Sequence, residues 1–280
     1  MILTEFDYAR PATLPEALAL LGSAEGARVL AGGQSLLADL RTGDAVFPDR
    51  GPRLLVDVRR LAELRGIRRT DGGGLRIGAA TTLAELAADR RVRETAPALA
   101  AAARANGDPQ VRNLGTVGGN LAAGGRATDL PVAALATDAR VLLAGPGGRR
   151  SVPAEEFALS GPPAASVVTA ITVPAAPATA FEKTADRATR YPVCAVAVRL
   201  GPDGLRVAVT GATARPVRLR GVEDRLRGGG LDTAAVLAAF REEPPDRFVP
   251  GRGVSAEYLG HLAGVLTARA LARAGAALRG

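Results

Sequence analysis

Apolar positions along the chain fall in short runs, and the spacing within each run predicts an element. Thr13 to Glu16 has the spacing of a capping box, and Ala17, Leu18, Leu20 and Leu21 continue it as a short amphipathic helix that stops near Gly22. Ala27 to Leu30 is a brief apolar strand that opens directly into Ala31-Gly32-Gly33-Gln34-Ser35. Leu36, Leu37 and Leu40 suggest a helical or irregular turn, and Arg53 to Val58 alternates as a strand. Leu64 to Thr70 and Leu75 to Ala79 flank Asp71-Gly72-Gly73-Gly74, a hairpin signal. Thr82 to Glu85 repeats the capping-box spacing and opens a helix to about Ala88, and Ala96 to Ala105 is helical by its alanine content.

Asn106 to Pro131 is dense in Gly, Asn and Asp, and its composition predicts loops of the kind that handle ligands. Leu130 to Ala136 reads as a turn of helix and Arg140 to Leu143 as a strand, with Gly145 to Gly148 as a hairpin tip. Gly161 to Ala165 and Pro174 to Ala178 are connectors around a strand from Ser166 to Val173. Beyond them, Ala180 to Thr184, Cys194 to Leu200 and Leu205 to Thr210 read as three strands. Thr233 to Phe240 and Ala256 to Leu278 read as helices. Strand and helix do not alternate regularly enough for a doubly wound sheet, so the fold class is α+β, with a boundary near residues 175 to 180.

Composition narrows the chemistry. The 280 residues are 47% apolar and 23% charged, which is ordinary for a globular protein. There is one cysteine, Cys194, and one histidine, His261. One thiol cannot close an intrachain disulfide or ligate an ordinary iron–sulfur cluster, and one thiol plus one imidazole cannot close a zinc site. Cys194 sits in the apolar run VCAVAV and reads as core. The adjacent pairs Glu155-Glu156 and Glu242-Glu243 read as solvated surface. No apolar run reaches the length of a membrane span and the N-terminus lacks the pattern of a secretory signal, so a cytoplasmic protein is expected.

The formal charge of +8 suggests nucleic acid, but the arginines are scattered, acids lie among them and only 3% of residues are aromatic. Thirty-five of the 36 basic residues are arginine, and Lys183 is the single lysine.

Two segments carry candidate ligand chemistry: residues 31 to 35, and Asn113 to Leu121 with the sequence NLGTVGGNL. Paired glycines let the backbone approach a ligand and turn successive N–H groups toward one point, and two such loops suit the two phosphates of a pyrophosphate. Each could also be a plain tight turn. Ser35, Thr116 and Asn120 can add side-chain hydrogen bonds. Neither a P-loop nor a G-x-G-x-x-G fingerprint is present.

With these motifs in view, AGGQSLL and PQVRNLGTVGGNLA, followed by TDLP, resemble the FAD-binding medium subunits of molybdenum hydroxylases, the group that includes the xanthine dehydrogenase and carbon monoxide dehydrogenase flavoproteins. The likeness runs from FDYARPATLPEALALL through LRIGAATTLAEL into the tail. It implies a PCMH-type FAD-binding fold over residues 1–175, in two α+β subdomains of about 1–57 and 58–175, then a C-terminal unit over 176–280 with a three-stranded antiparallel sheet plus helices. It implies noncovalent FAD, with Ala31, Gly32, Gly33, Gln34 and Ser35 and Thr116, Val117, Gly118, Gly119 and Asn120 around the pyrophosphate and ribityl chain.

By the same resemblance Asp129 falls near the nucleotide half, Lys183 close to the flavin and Tyr191 where a ring can stack on the isoalloxazine. A cation at the pyrimidine edge would stabilise anionic reduced flavin. No catalytic residue and no metal ligand is implied. The implied role is electron transfer from a [2Fe–2S] small subunit, working with a molybdopterin large subunit, through flavin to an external acceptor. Two other functions stay open: a free-standing FAD oxidoreductase acting on a small molecule, and a basic nucleic-acid-binding or scaffold protein without cofactor. The sequence departs from the family pattern at Gly124-Gly125-Arg126, at Asn106, at Pro192 and around Leu259 and His261.

Overall fold

The computed structural model describes residues 5–42, 52–123, 127–251 and 253–277. The first part of the chain contains β1 (Asp7–Ala9), α1 (Leu14–Ser23), β2 (Ala27–Leu30), α2 (Leu36–Thr42) and β3 (Leu54–Asp57). Its three strands form a parallel sheet in the order β1-β3-β2. Thr13 Oγ1 accepts the Glu16 N–H at the start of α1, while the Glu16 carboxylate reaches back to the Ala12 N–H, one residue before the expected capping box closes. Leu14, Ala17 and Leu21 form the buried face of α1 and pack with Val56, Val58, Leu61 and Leu64.

The middle of the chain contributes β4 (Ile67–Arg69), β5 (Leu75–Gly78), α3 (Leu83–Ala88), α4 (Arg90–Thr95), α5 (Pro97–Ala105), α6 (Pro109–Leu114), α7 (Val117–Leu121), α8 (Leu130–Ala136), β6 (Arg140–Gly145), β7 (Gly148–Pro153), α9 (Ala154–Ser160) and β8 (Val167–Val173). The strands make a five-stranded antiparallel sheet in the order β4-β5-β8-β6-β7. Ile77, Ile171 and Val141 lie side by side on its inner face and share a core with α5 and α8. The capping box at Thr82 is complete, with Glu85 bonding back to the Thr82 N–H at 2.7 Å.

The last part comprises β9 (Thr179–Ala185), β10 (Pro192–Gly201), β11 (Gly204–Thr210), β12 (Val217–Arg218), α10 (Arg220–Arg225), α11 (Thr233–Arg241) and α12 (Ala256–Ala276). The sheet has four strands, β12-β11-β10-β9, and not the expected three, because β12 is two residues long and too short to show alternation. Cys194, Val196 and Val198 face α11 and α12. Ala195 and Ala197 face the core around α5 and α8. Burial on both faces explains why β10 reads as a continuous apolar run.

The segment from Asn106 to Pro131 departs most from expectation. In place of irregular loop it holds α6, α7 and the start of α8, short helices opened by Pro109, by the Thr116 cap and by Pro131. Their helical content is hidden by residues chosen for turns and close packing. Glu243 also differs from expectation: it is buried and held by Arg225 and Arg247. Burial pushes the Cys194 thiol up to about 12, so it is an inert core group. Among the described residues no helix is long and apolar enough to cross a membrane.

Leu266 on α12 is fully buried, whereas Leu159 on α9 is 59% exposed. Leu266→Ala is expected to cost about 3 kcal/mol in urea unfolding, and Leu159→Ala to stay within about 0.5 kcal/mol.

Candidate functional site

Three backbone segments meet where the first two sheets come together. The chain leaves β2 through residues 31 to 35, with Gly33 in the left-handed region at φ +71°, and enters α2. At Gly32 a Cβ would collide with the Leu114 carbonyl oxygen and stand 2.7 Å from the Gly115 Cα. At Gly118 it would stand 2.7 Å from the Ala79 Cβ, and at Gly119 it would lie 3.5 Å from the Ala31 Cβ. The two glycine loops, about eighty residues apart in sequence, are therefore in backbone contact, and the second leans on Ala79 just past β5.

Their hydrogen bonds differ. In the second loop the Val117 and Gly118 N–H groups donate to the Thr81 and Ala79 carbonyls at 2.9 and 2.8 Å, and the Gly119 N–H donates to Thr116 Oγ1 at 3.1 Å. Those amides are occupied within the fold. In the first loop the N–H groups of Gly32, Gly33, Gln34 and Ser35 meet no acceptor among the described residues, while Gln34 Nε2 closes the turn onto the Gly32 carbonyl. Consecutive N–H groups without acceptors in a half-buried turn form a cradle for anionic oxygens. The first loop thus offers the donors and the second the wall beside them.

Asn120 carries the site onward. Its Oδ1 accepts the Leu130 N–H at 3.0 Å and its carbonyl accepts Thr128 Oγ1 at 2.8 Å, which fixes the approach to α8. Asp129 follows, buried, with Oδ2 accepting from Asn106 Nδ2 at 2.7 Å and from Lys183 Nζ at 2.9 Å. Its Oδ1 lies 2.8 Å from the same ammonium, and the two side chains are 2% and 5% exposed. Burial raises the Asp129 pKa; Lys183 and the Asn106 hydrogen bond offset part of that rise. Asp129 and Lys183, expected at the nucleotide half and at the flavin, stand together in one ion pair.

Tyr191 is half-buried at the turn between β9 and β10, where its carbonyl accepts the Asp186 N–H at 2.9 Å. The next residue, Pro192, opens β10, and Arg190 beside it lies 3.9 Å from Asp108 at the head of α6. The Gly124-Gly125-Arg126 departure lies outside the described residues. Leu259 is buried in the core and His261 is exposed on α12.

Sequence reasoning passed over a second polar cluster at the end of the parallel sheet. Tyr8 donates to Asp57 Oδ2 at 2.7 Å, and Arg59 grips both Asp57 oxygens, with Nη2 at 2.7 Å from Oδ2. Burial alone would raise Asp57; hydrogen bonds from the Arg59 side chain and backbone and from Tyr8 together outweigh it and hold the carboxyl below its usual range. Asp57 is paired in the sheet with Leu30, the residue before the first glycine loop, so the cluster braces that loop's root. It joins residues 49 positions apart, and neither partner alone carries a motif.

Residues 4–176 match the model of the FAD binding domain in molybdopterin dehydrogenase, and residues 179–274 that of the CO dehydrogenase flavoprotein C-terminal domain. The chain belongs to that FAD-binding family. It is a medium subunit of the molybdenum hydroxylase type, and FAD is its cofactor. The carbon monoxide dehydrogenase medium chain of Hydrogenophaga pseudoflava is 38% identical over 97% of both chains. The glyceraldehyde dehydrogenase medium chain of Sulfolobus acidocaldarius is 34% identical over 81% of this chain and 83% of its own.

Among solved structures, carbon monoxide dehydrogenase from Hydrogenophaga pseudoflava aligns at TM-score 0.86 and 35% identity over 99% of each chain. Quinoline 2-oxidoreductase from Pseudomonas putida 86 aligns at 0.87 and 27% identity over 99% of this chain and 100% of its own. The relatives are named as medium chains of larger enzymes, so this family works with partner subunits.

Removing the Lys183 charge leaves Asp129 buried without its counter-ion. Its folded pKa then lies further above its unfolded value, so the folded state holds the extra proton and stability falls as pH rises through that interval. For Lys183→Met the urea midpoint is expected to drop more steeply than in the wild type as pH rises above the ordinary carboxylate range.

Proposed function

We propose that the chain holds an extended FAD noncovalently, with the phosphates on the N–H groups of Gly32, Gly33, Gln34 and Ser35. The observation that carries this reading is that row of amides with no acceptor among the described residues, pressed against a second glycine loop whose own amides are bonded within the fold. Ala31 and Gly119 line the contact between the loops, and Val117 and Gly118 hold the wall to β5. The Thr116 hydroxyl and the Asn120 amide add polar contacts beside the cradle. The network of Asp129 and Lys183, with Tyr191 on the same hairpin as Lys183, forms the flavin end.

We further infer a division at the Pro174–Ala178 connector, with residues 1–175 as the FAD-binding portion, in parts of about 1–57 and 58–175, and 176–280 covering the flavin. The change of family match at this connector supports the division. FAD held there would supply the electron-carrying chemistry between a [2Fe–2S] small subunit, served by a molybdopterin large subunit, and an external acceptor. The chain's own composition supports the need for those partners: its one thiol is buried, so it ligates no cluster. What the chain itself does is bind, orient and shield the cofactor. The family assignment leaves the basic scaffold without support.

The test is a titration of the purified chain with FAD, followed by absorbance and by quenching of flavin fluorescence. Wild type is expected to bind FAD. Gly32→Ala, which pushes the Leu114–Gly115 backbone away, is expected to bind it at least about tenfold more weakly, or about 1.4 kcal/mol. Absence of flavin bands in the wild type sinks the proposal. Substrate-driven flavin reduction by the isolated chain would instead favour a free-standing oxidoreductase.

A further inference from the structure

The single lysine of this chain is turned inward and paired within the fold. Lys183 Nζ donates to the Ala105 carbonyl at 3.1 Å and to Asp129 Oδ2 at 2.9 Å, and Asp129 Oδ1 lies 2.8 Å from the same ammonium as an ion-pair partner without a hydrogen bond of its own. Ala105 is the last residue of α5, where a cation also complements the exposed carbonyls of a helix end. The next two carbonyls, of Asn106 and Gly107, accept from Arg112 Nη1 at 3.2 and 2.7 Å. Three successive carbonyls are thus held by two cations, and Asn106 turns its amide onto Asp129. The corner between α5 and α6 is fixed from three sides.

Lys183 comes from a different sheet. It lies on β9 opposite Ala195 of β10, and the same hairpin ends in the turn that carries Arg190 and Tyr191. We propose that Lys183 is a positioning residue and not a ligand of the cofactor. Through Asp129 and the 105–107 carbonyls it fastens the β9–β10 hairpin to the α5–α6 corner, and so sets where Tyr191 stands at the flavin end. This rests on the FAD reading above, but every contact it invokes lies within the protein. It departs from the expectation that the lysine charge stabilises reduced flavin directly, since that charge is neutralised by a buried carboxylate 2.8 Å away.

Because the chain has one lysine, amine chemistry reads this residue alone apart from the N-terminus. The folded full chain, treated with acetic anhydride and analysed by peptide mass spectrometry, is expected to acetylate at the N-terminus and leave Lys183 unreacted, equally with and without FAD. Ready acetylation of Lys183 in the FAD-free chain, blocked by FAD, would overturn the proposal.

A second experiment measures affinity for oxidised and reduced FAD in wild type, Lys183→Met and the double variant Lys183→Met/Asp129→Asn. The single change is expected to weaken FAD binding about tenfold or more by stranding a buried carboxylate. The double change, which removes both charges, is expected to return to within about threefold of wild type, with the ratio of the two affinities unchanged within the same factor. A double variant that binds no better than the single one, or whose relative affinity for reduced FAD falls about tenfold, would show direct contact and sink the inference. Failure of the wild type to bind FAD would instead sink the FAD reading, and would leave the acetylation result of the cofactor-free chain standing.

Discussion

The architecture depends on three stretches of backbone coming closer than any side chain permits. Gly32 abuts Leu114 and Gly115, Gly118 abuts Ala79, and Gly119 reaches Ala31. This contact brings the end of a parallel strand against the head of α7 and the end of β5. Two sheets of different kinds, one parallel and one antiparallel, are joined through main chain with almost no intervening side-chain volume. The gain is a turn whose amides meet no acceptor among the described residues. A methyl group at either central glycine would separate the segments and alter the turn as well.

Around this contact the polar groups divide their labour. Asp57, held by Arg59 and Tyr8, braces the root of the first loop. Asn120 carries the second loop to α8, and Asp129 with Lys183 carries it on to the four-stranded sheet. Each step is a hydrogen-bonded or ion-paired link between elements distant in sequence. The buried pair of Asp129 and Lys183 is the costliest of them by desolvation, and it ties the head of α8 to β9.

Local signals were legible and distant ones were not. Thr82 with Glu85, the Gly-rich hairpin tips and the VCAVAV strand were readable because the residues that decide them are neighbours. The three short helices between 109 and 136 were not fully readable. Their prolines, glycines and asparagine serve capping and close approach, and those same residues otherwise mark loops. β12 was too short to show a period. Both glycine loops stood out, but the sequence could not distinguish the loop with open amides from the one already bonded, because the acceptors at Ala79 and Thr81 lie elsewhere in the chain. The partners of Lys183 are 54 and 78 residues away and carry no motif, so the resemblance marked the residue while its neighbours stayed unseen. Glu243 looked solvated for the same reason: its partner Arg225 is 18 positions earlier.

The four-stranded sheet is apolar on both faces. Ala195 and Ala197 belong to the core of the preceding helices, while Cys194, Val196 and Val198 belong to that of α11 and α12. Separating this sheet from α5 and α8 would expose a dry surface on each side of the break, so neither part retains a water-compatible boundary alone. The chain is divided by sequence family at residues 176 to 179, but its cores are interleaved across that point. It follows that the middle of the chain and the C-terminal sheet should unfold together, and that the C-terminal portion excised alone should aggregate in place of folding as an autonomous module.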